Sequence, residues 1–157
     1  MSPTLKEKPA LGEIYDVKSF KPENSVGYLL KRVLVEMLGA VDRELEPFDV
    51  TSAQYTIMAQ LAYSLADSSS GLCKGIAYDP GAMTRMVDRL EAKGLIRRVR
   101  SEDDRRAVKL ELTDEGKALF PKMRVKVIGV LNHLLRDFTK SEAHQLENLL
   151  QRMLNNV

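Results

Sequence analysis

Little in this sequence points to enzyme chemistry, and each shortage excludes something. A single cysteine, Cys73, stands among 157 residues, so no internal disulfide can form, as expected of a protein kept in a reducing cytoplasm. The only two histidines, His133 and His144, fall on different expected helices with no cysteine or carboxylate cluster beside them, so no metal site is expected. There is no phosphate-cradling glycine loop, no nucleophile–base pairing and no zinc-ligand spacing, so neither an enzyme nor a cofactor is expected. No apolar run approaches the roughly 18 residues of a membrane span. The N-terminus has no apolar signal core. These two absences make a cytoplasmic location, without a membrane partner, the expectation.

Strong net charge is missing too: the chain carries only +2. The distribution says more than the total. Between Arg85 and Lys109 lie 9 basic and 5 acidic residues, while the rest of the chain holds 15 basic and 17 acidic ones. Positive charge is thus gathered in one segment of an otherwise slightly acidic protein, the pattern of an electrostatic footprint for an anionic partner. A merely solvated charged surface would look the same by composition.

The apolar pattern reads as a helical protein with one hairpin. Residues 1–20 show two prolines, several charges and no helical stripe, which predicts a mobile arm with a short ordered piece near 14–20. Val26, Leu29, Leu30, Val33, Leu34, Met37, Val41 and Leu45 give a broad apolar helical face over 24–45. Thr51 and Gln54 form a capping box that opens a second helix over 52–66. A short helix over 71–77 follows a polar turn. Asp79-Pro80 reads as an N-cap followed by proline at the first helical position, and Gly94 as the residue that closes that helix. The β-prone runs 95–100 and 106–112, joined by the polar stretch 101–105, predict a hairpin. Thr113 caps a long helix to about 138 in which Pro121 predicts a kink or a split. A last helix starts at 139–141.

Two short helices joined by a turn and followed by a two-stranded hairpin make a winged helix-turn-helix. The fold class expected is mainly α with a small β-hairpin wing, flanked by long apolar-faced helices. A helix fits the major groove of duplex DNA with its N-terminal residues on the base edges. Those are Gly81, Ala82, Met83, Thr84 and Arg85. Gly81 and Ala82 allow close approach, Thr84 can touch a base or phosphate, and Arg85 can reach guanine or clamp phosphate. Met83 is ambiguous between the core and a thymine methyl. Arg89, Arg98 and Arg100 complete the candidate contacts of the basic segment. In the hairpin loop, Asp104 can hold a neighbouring guanidinium in one direction, with Arg105 or Arg106 as a probe of the electronegative minor groove. The alternative is a turn with local salt bridges and no ligand.

The residues Thr84-Arg85, Asp88-Arg89-Leu90-Glu91, Lys93-Gly94-Leu95-Ile96, Arg98, Asp104-Arg105-Arg106, Leu112-Thr113 and Gly116 together resemble the MarR family of bacterial winged-helix regulators. The likeness spans roughly 24–155 and is strongest over 75–120. It implies a homodimer that binds a pseudo-palindromic operator through two recognition helices, with Arg106 reaching the minor groove and Asp104 steadying it. It also implies repression relieved by a small molecule. A dimer follows from the helices as well, because Leu146, Leu149, Leu150, Met153 and Leu154, with Val130, Leu131, Leu134, Leu135 and Phe138, make too much apolar surface to leave in water. The expected division is an arm over 1–23, a dimerisation region over 24–50 and 117–157, and a DNA-binding domain over 51–116.

Family effectors, often aromatic carboxylates or phenols, imply a cleft beside the first two long helices. Ser25, Tyr28, Arg32, Tyr55 and Met58 are the candidates to line it, with Arg32 or Arg43 as carboxylate partner. Taken singly, Tyr28, Tyr55 and Met58 read first as ordinary core and Arg32 as a surface arginine. Two rivals remain. A thiol-based redox repressor would act through Cys73, whose neighbour Lys74 can lower its pKa. A helical interaction protein without DNA binding would carry an eroded wing, and the wing motif here is intact.

Overall fold

The computed structural model describes residues 14–76, 79–100 and 108–157. The hairpin loop with Asp104, Arg105 and Arg106 therefore lies outside the described residues, as do residues 1–13. The elements run α1 (Val26–Leu45), α2 (Ser52–Ala62), α3 (Ser69–Ile76), α4 (Pro80–Ala92), β1 (Ile96–Arg100), β2 (Val108–Leu112), α5 (Asp114–Leu134) and α6 (Lys140–Leu154), with single 3-10 turns at Pro22–Asn24 and Glu46–Phe48. The chain divides into two compact units, residues 1–36 and 37–157.

In the first unit the described part of the expected arm is folded. Tyr15 and Phe20 meet edge to face with ring centres 5.4 Å apart. The Tyr15 hydroxyl accepts from the Val26 N–H at 2.8 Å, and Ser25 Oγ accepts from the Tyr28 N–H at 3.3 Å. Both satisfy donors that an α-helix leaves free in its first turn. Residues 14–25 therefore serve as the cap of α1, which the arm reading did not foresee.

The second unit is built on one core in which Leu45, Ile57, Met58, Leu72, Met83, Val87, Leu90 and Met123 are fully buried. The Thr51–Gln54 capping box forms as expected, with both reciprocal bonds in place. Helix α2 ends at Ala62 rather than 66, because Ser64 turns to φ 54° and takes the chain out of the helix. Helix α3 starts two residues early, at Ser69, with Ser68 Oγ accepting the Gly71 N–H. Pro121 does not divide α5, which runs unbroken for 21 residues with Phe120 and Met123 buried on either side of it in sequence. It stops at Leu134, four residues short of the expected end. Thr139 and Glu142 then form a second capping box that opens α6.

Candidate nucleic-acid interface

Helix α4 is fixed at its start by Asp79, whose carboxylate accepts from the Gly81 N–H at 2.9 Å and the Ala82 N–H at 3.2 Å. Met83, Val87 and Leu90 point into the core. That spacing turns Gly81, Thr84, Arg85, Asp88 and Arg89 outward, all of them exposed. Met83 is fully buried, so its ambiguity resolves toward packing, and it is withdrawn from the set of base contacts. Ala82 is half-buried. The Thr84 hydroxyl donates to the Pro80 carbonyl at 2.9 Å, which leaves its oxygen lone pairs and methyl to face a ligand.

The hairpin pairs antiparallel with Ile96 opposite Leu112 and Arg100 opposite Val108. Leu95, Ile96, Leu110 and Leu112 anchor it in the core. A backbone bond from the Leu110 N–H to the Asp67 carbonyl, 2.7 Å, ties its outer edge to the segment after α2. Its base is a compact joint. Gly94 takes φ 70°, a left-handed conformation that glycine adopts without penalty. Thr113 Oγ1 donates to the Gly94 carbonyl at 2.6 Å and accepts the Gly116 N–H at 3.0 Å. Gly116 lies directly against the Leu95 carbonyl, leaving no room for a Cβ. The Lys-Gly-Leu and Leu-Thr-x-x-Gly segments thus have a physical reason: they are the two halves of the joint that sets the hairpin on α5.

The cations of the basic segment divide into two groups. Arg97 pairs with its cross-strand neighbour Glu111 at 2.5 Å, Lys93 with Asp49 at 3.1 Å and Lys109 with Asp67 at 3.6 Å. Arg98 is held by two carboxylates of α4: Asp88 Oδ1 at 2.6 Å, and Glu91, which also accepts the Arg98 backbone N–H at 3.2 Å. The hydrogen bond to Asp88, with the lesser help of Glu91, raises the Arg98 pKa against its partial desolvation. In the free protein Arg98 is therefore a tie between β1 and α4. Arg85, Arg89 and Arg100 are exposed, and none forms an ion pair among the described residues. Sequence reasoning missed Asp88 and Glu91. Two signals were available: their i, i+3 spacing puts them on one helix flank, and Arg98 shares its strand face with buried Ile96.

The effector candidates fare unevenly. Met58 is fully buried and belongs to the core cluster with Ile57, Leu72 and Met83, so its side chain has no surface to offer a ligand. Tyr55 is half-buried and stacks on Phe120 with ring centres 5.5 Å apart, and burial raises its phenol pKa. Ser25, Tyr28 and Arg32 are on the first unit: Tyr28 and Arg32 are exposed, and Ser25 is half-buried. Arg43 borders two hollows of about 470 Å³ each, one shared with Arg89 and Lys93, the other with Lys126 and His133. A further groove of about 710 Å³ lies between Leu61, Leu65, Lys109, Leu110, Lys117 and Phe120 and contains none of the candidates. Cys73 is half-buried against the core. Among the described residues no group of three or more His, Cys, Asp or Glu side chains is placed to hold a metal ion, and no helix is long and apolar enough to cross a membrane.

An exposed helix held by its inward face beside a two-stranded wing defines a winged helix-turn-helix. Residues 50–108 match the family model described as MarR family. The chain is 30% identical over 131 residues to the multiple antibiotic resistance protein MarR of Escherichia coli (strain K12), covering 82% of this chain and 90% of that protein. It is 35% identical over 105 residues to YhbI, an uncharacterized HTH-type transcriptional regulator of Bacillus subtilis (strain 168), covering 67% and 68%. A cysteine-to-serine mutant of E. coli MarR complexed with operator DNA superposes with a TM-score of 0.75 over 82% of this chain and 93% of that one, at 30% identity. CouR of Rhodococcus jostii RHA1, bound to p-coumaroyl-CoA, superposes with a TM-score of 0.76 over 83% and 92%, at 25% identity. The chain belongs to the MarR family. It is a winged-helix, DNA-binding transcriptional regulator.

Proposed function

We propose that the protein is a homodimeric repressor that holds a pseudo-palindromic operator and releases it on binding a small aromatic carboxylate or phenol. The observation that carries the DNA reading is the outward face of α4. Gly81, Thr84, Arg85 and Arg89 face solvent together while Met83, Val87 and Leu90 hold the helix from behind. Arg85 is the leading base or phosphate contact, with Arg89 and Arg100 on the backbone. In the wing, Arg106 enters the minor groove and Asp104 directs it. The existence of an operator complex of the E. coli relative supports the DNA reading. With chromosomal DNA as partner, the place of action is the cytoplasm.

The dimer reading rests on α6, which buries none of its residues although it carries Leu146, Leu149, Met153 and Leu154, all exposed. Ile128, Leu131 and Leu134 on α5 and Phe138 after it are exposed as well. A second copy is the simplest cover for these residues. Residues 24–50 and 117–157 thus form the dimerisation region, and 51–116 read DNA. The CoA-thioester ligand of CouR supports an anionic, aromatic effector. Arg43, beside two hollows, is the anion partner best supported, with Arg32, Tyr28, Ser25 and Tyr55 as the remaining candidates.

Nuclease footprinting on the DNA upstream of the protein's own gene tests the reading. A protected stretch with two-fold symmetry, lost on adding one member of a panel of aromatic acids, phenols and their CoA thioesters, is the expected result. Protection of a single asymmetric half-site, or a footprint that no member of the panel removes, contradicts the dimer or the effector respectively.

A further inference from the structure

We propose that Arg98 is a positioning residue that yokes the wing to the recognition helix, so that α4 and the hairpin engage DNA as one rigid element. The proposal rests on the DNA-binding reading above. Three bonds converge on Arg98: one guanidinium nitrogen to Asp88 Oδ1, another to Glu91, and the Arg98 backbone N–H to the other Glu91 oxygen. Asp88 and Glu91 come from successive turns of α4, and Arg98 sits at the centre of β1. The hairpin is a single pair of strands, and an isolated two-stranded hairpin is marginally stable in water. Its base is held by the Gly94–Thr113–Gly116 joint and by Leu95 and Ile96. Arg98 is the charged tie from β1, beyond that base, to α4.

The same arrangement masks charge. Asp88 is exposed on α4 near the surface offered to DNA, and Glu91 is half-buried beside it. Left alone, both carboxylates would repel phosphate. A planar guanidinium can bridge two carboxylates at fixed angles, whereas a lysine ammonium is a point charge on a flexible stem. The arginine therefore neutralises acids on the flank of α4 and fixes the direction of the strand that leads to the wing tip.

The test is a double-mutant cycle between Arg98→Ala and the pair Asp88→Asn/Glu91→Gln, read in two ways. Hydrogen exchange of the free protein needs no DNA. Arg98→Ala and the Asn/Gln pair are each expected to speed exchange over residues 96–112, with no further increase when they are combined, while α2 and α5 stay protected. Unchanged exchange in both variants overturns the yoke, whether or not DNA binding is found. Anisotropy with duplex DNA is the second readout. Arg98→Ala is expected to weaken specific binding roughly tenfold, within the span of coupling between contacting residues, and Arg98→Lys to restore only part of it. In the Asn/Gln background the loss from Arg98→Ala is expected to vanish. If Arg98 instead contacts phosphate directly, its removal weakens binding equally in both backgrounds and lowers the salt slope by about 0.9, and that result overturns the proposal. Wild-type protein that binds no duplex in any condition overturns the DNA reading alone, because the exchange arm still reports on the tie.

Discussion

Gly116, in the first turn of α5, packs against the backbone carbonyl of Leu95 so closely that a methyl group on residue 116 would fall on the oxygen. Replacing a helical glycine by alanine ordinarily stabilises a protein, by up to about 1 kcal/mol. Here the sign reverses, since the obstacle is backbone and cannot swing aside. Gly116→Ala is expected to cost roughly 1–3 kcal/mol, the range of overpacking. Urea denaturation of the variant measures this as a lowered midpoint. Gly94→Ala, at φ 70°, is expected to lose about 1–2 kcal/mol by the left-handed penalty alone.

Met83 and Arg85 are two residues apart on α4 and are expected to fail in opposite ways. Met83→Ala removes a fully buried side chain and should cost about 2–5 kcal/mol of stability. Arg85→Ala leaves the core intact and should shift the melting temperature little, yet weaken specific DNA binding by about 1–3 kcal/mol. Thermal melts and duplex titrations of the two variants separate the roles. A Met83→Ala protein that melts like wild type but loses DNA binding would return Met83 to the groove.

The wing proposal makes a prediction with an unusual sign. Arg106→Ala should weaken operator binding by roughly 1–3 kcal/mol. Asp104→Ala should weaken it also, although it deletes a negative charge facing DNA, because the arginine loses its director. Tighter binding by Asp104→Ala in a competition assay would show that the acid only repels.

Sedimentation tests the apolar helices. The wild-type chain is expected to run as a dimer at micromolar concentration, and Leu149→Glu to shift it toward monomer, because a carboxylate cannot be buried there without a partner. A wild-type monomer at all concentrations would contradict the assignment of α5 and α6 to a self-interface.

Local rules carried the sequence reading as far as local physics reaches. The α4 start at Asp79-Pro80 and the capping box at Thr51 are set by contacts within four residues, and both are where the sequence placed them. The capping box at Thr139 and the burial of Met83 came only with the structure. The helix ends were harder. Ser64 and Leu135 terminate their helices without a glycine or proline signal. The Arg98 tie was hidden because its partners lie 7 and 10 residues away across the helix–strand joint. Met58 was misplaced for a different reason. On a helix apolar over a broad face, spacing alone does not separate a core residue from one lining a pocket.

The most direct measurement is fluorescence anisotropy of a labelled duplex from the protein's own upstream region, titrated at several salt concentrations beside a scrambled duplex and an Arg85→Ala control. The account predicts a sequence preference, an affinity that falls steeply as salt rises, and loss of the preference in Arg85→Ala. Equal binding of native and scrambled duplexes at every salt concentration, unchanged by Arg85→Ala, would contradict the assignment of α4 as the reading helix.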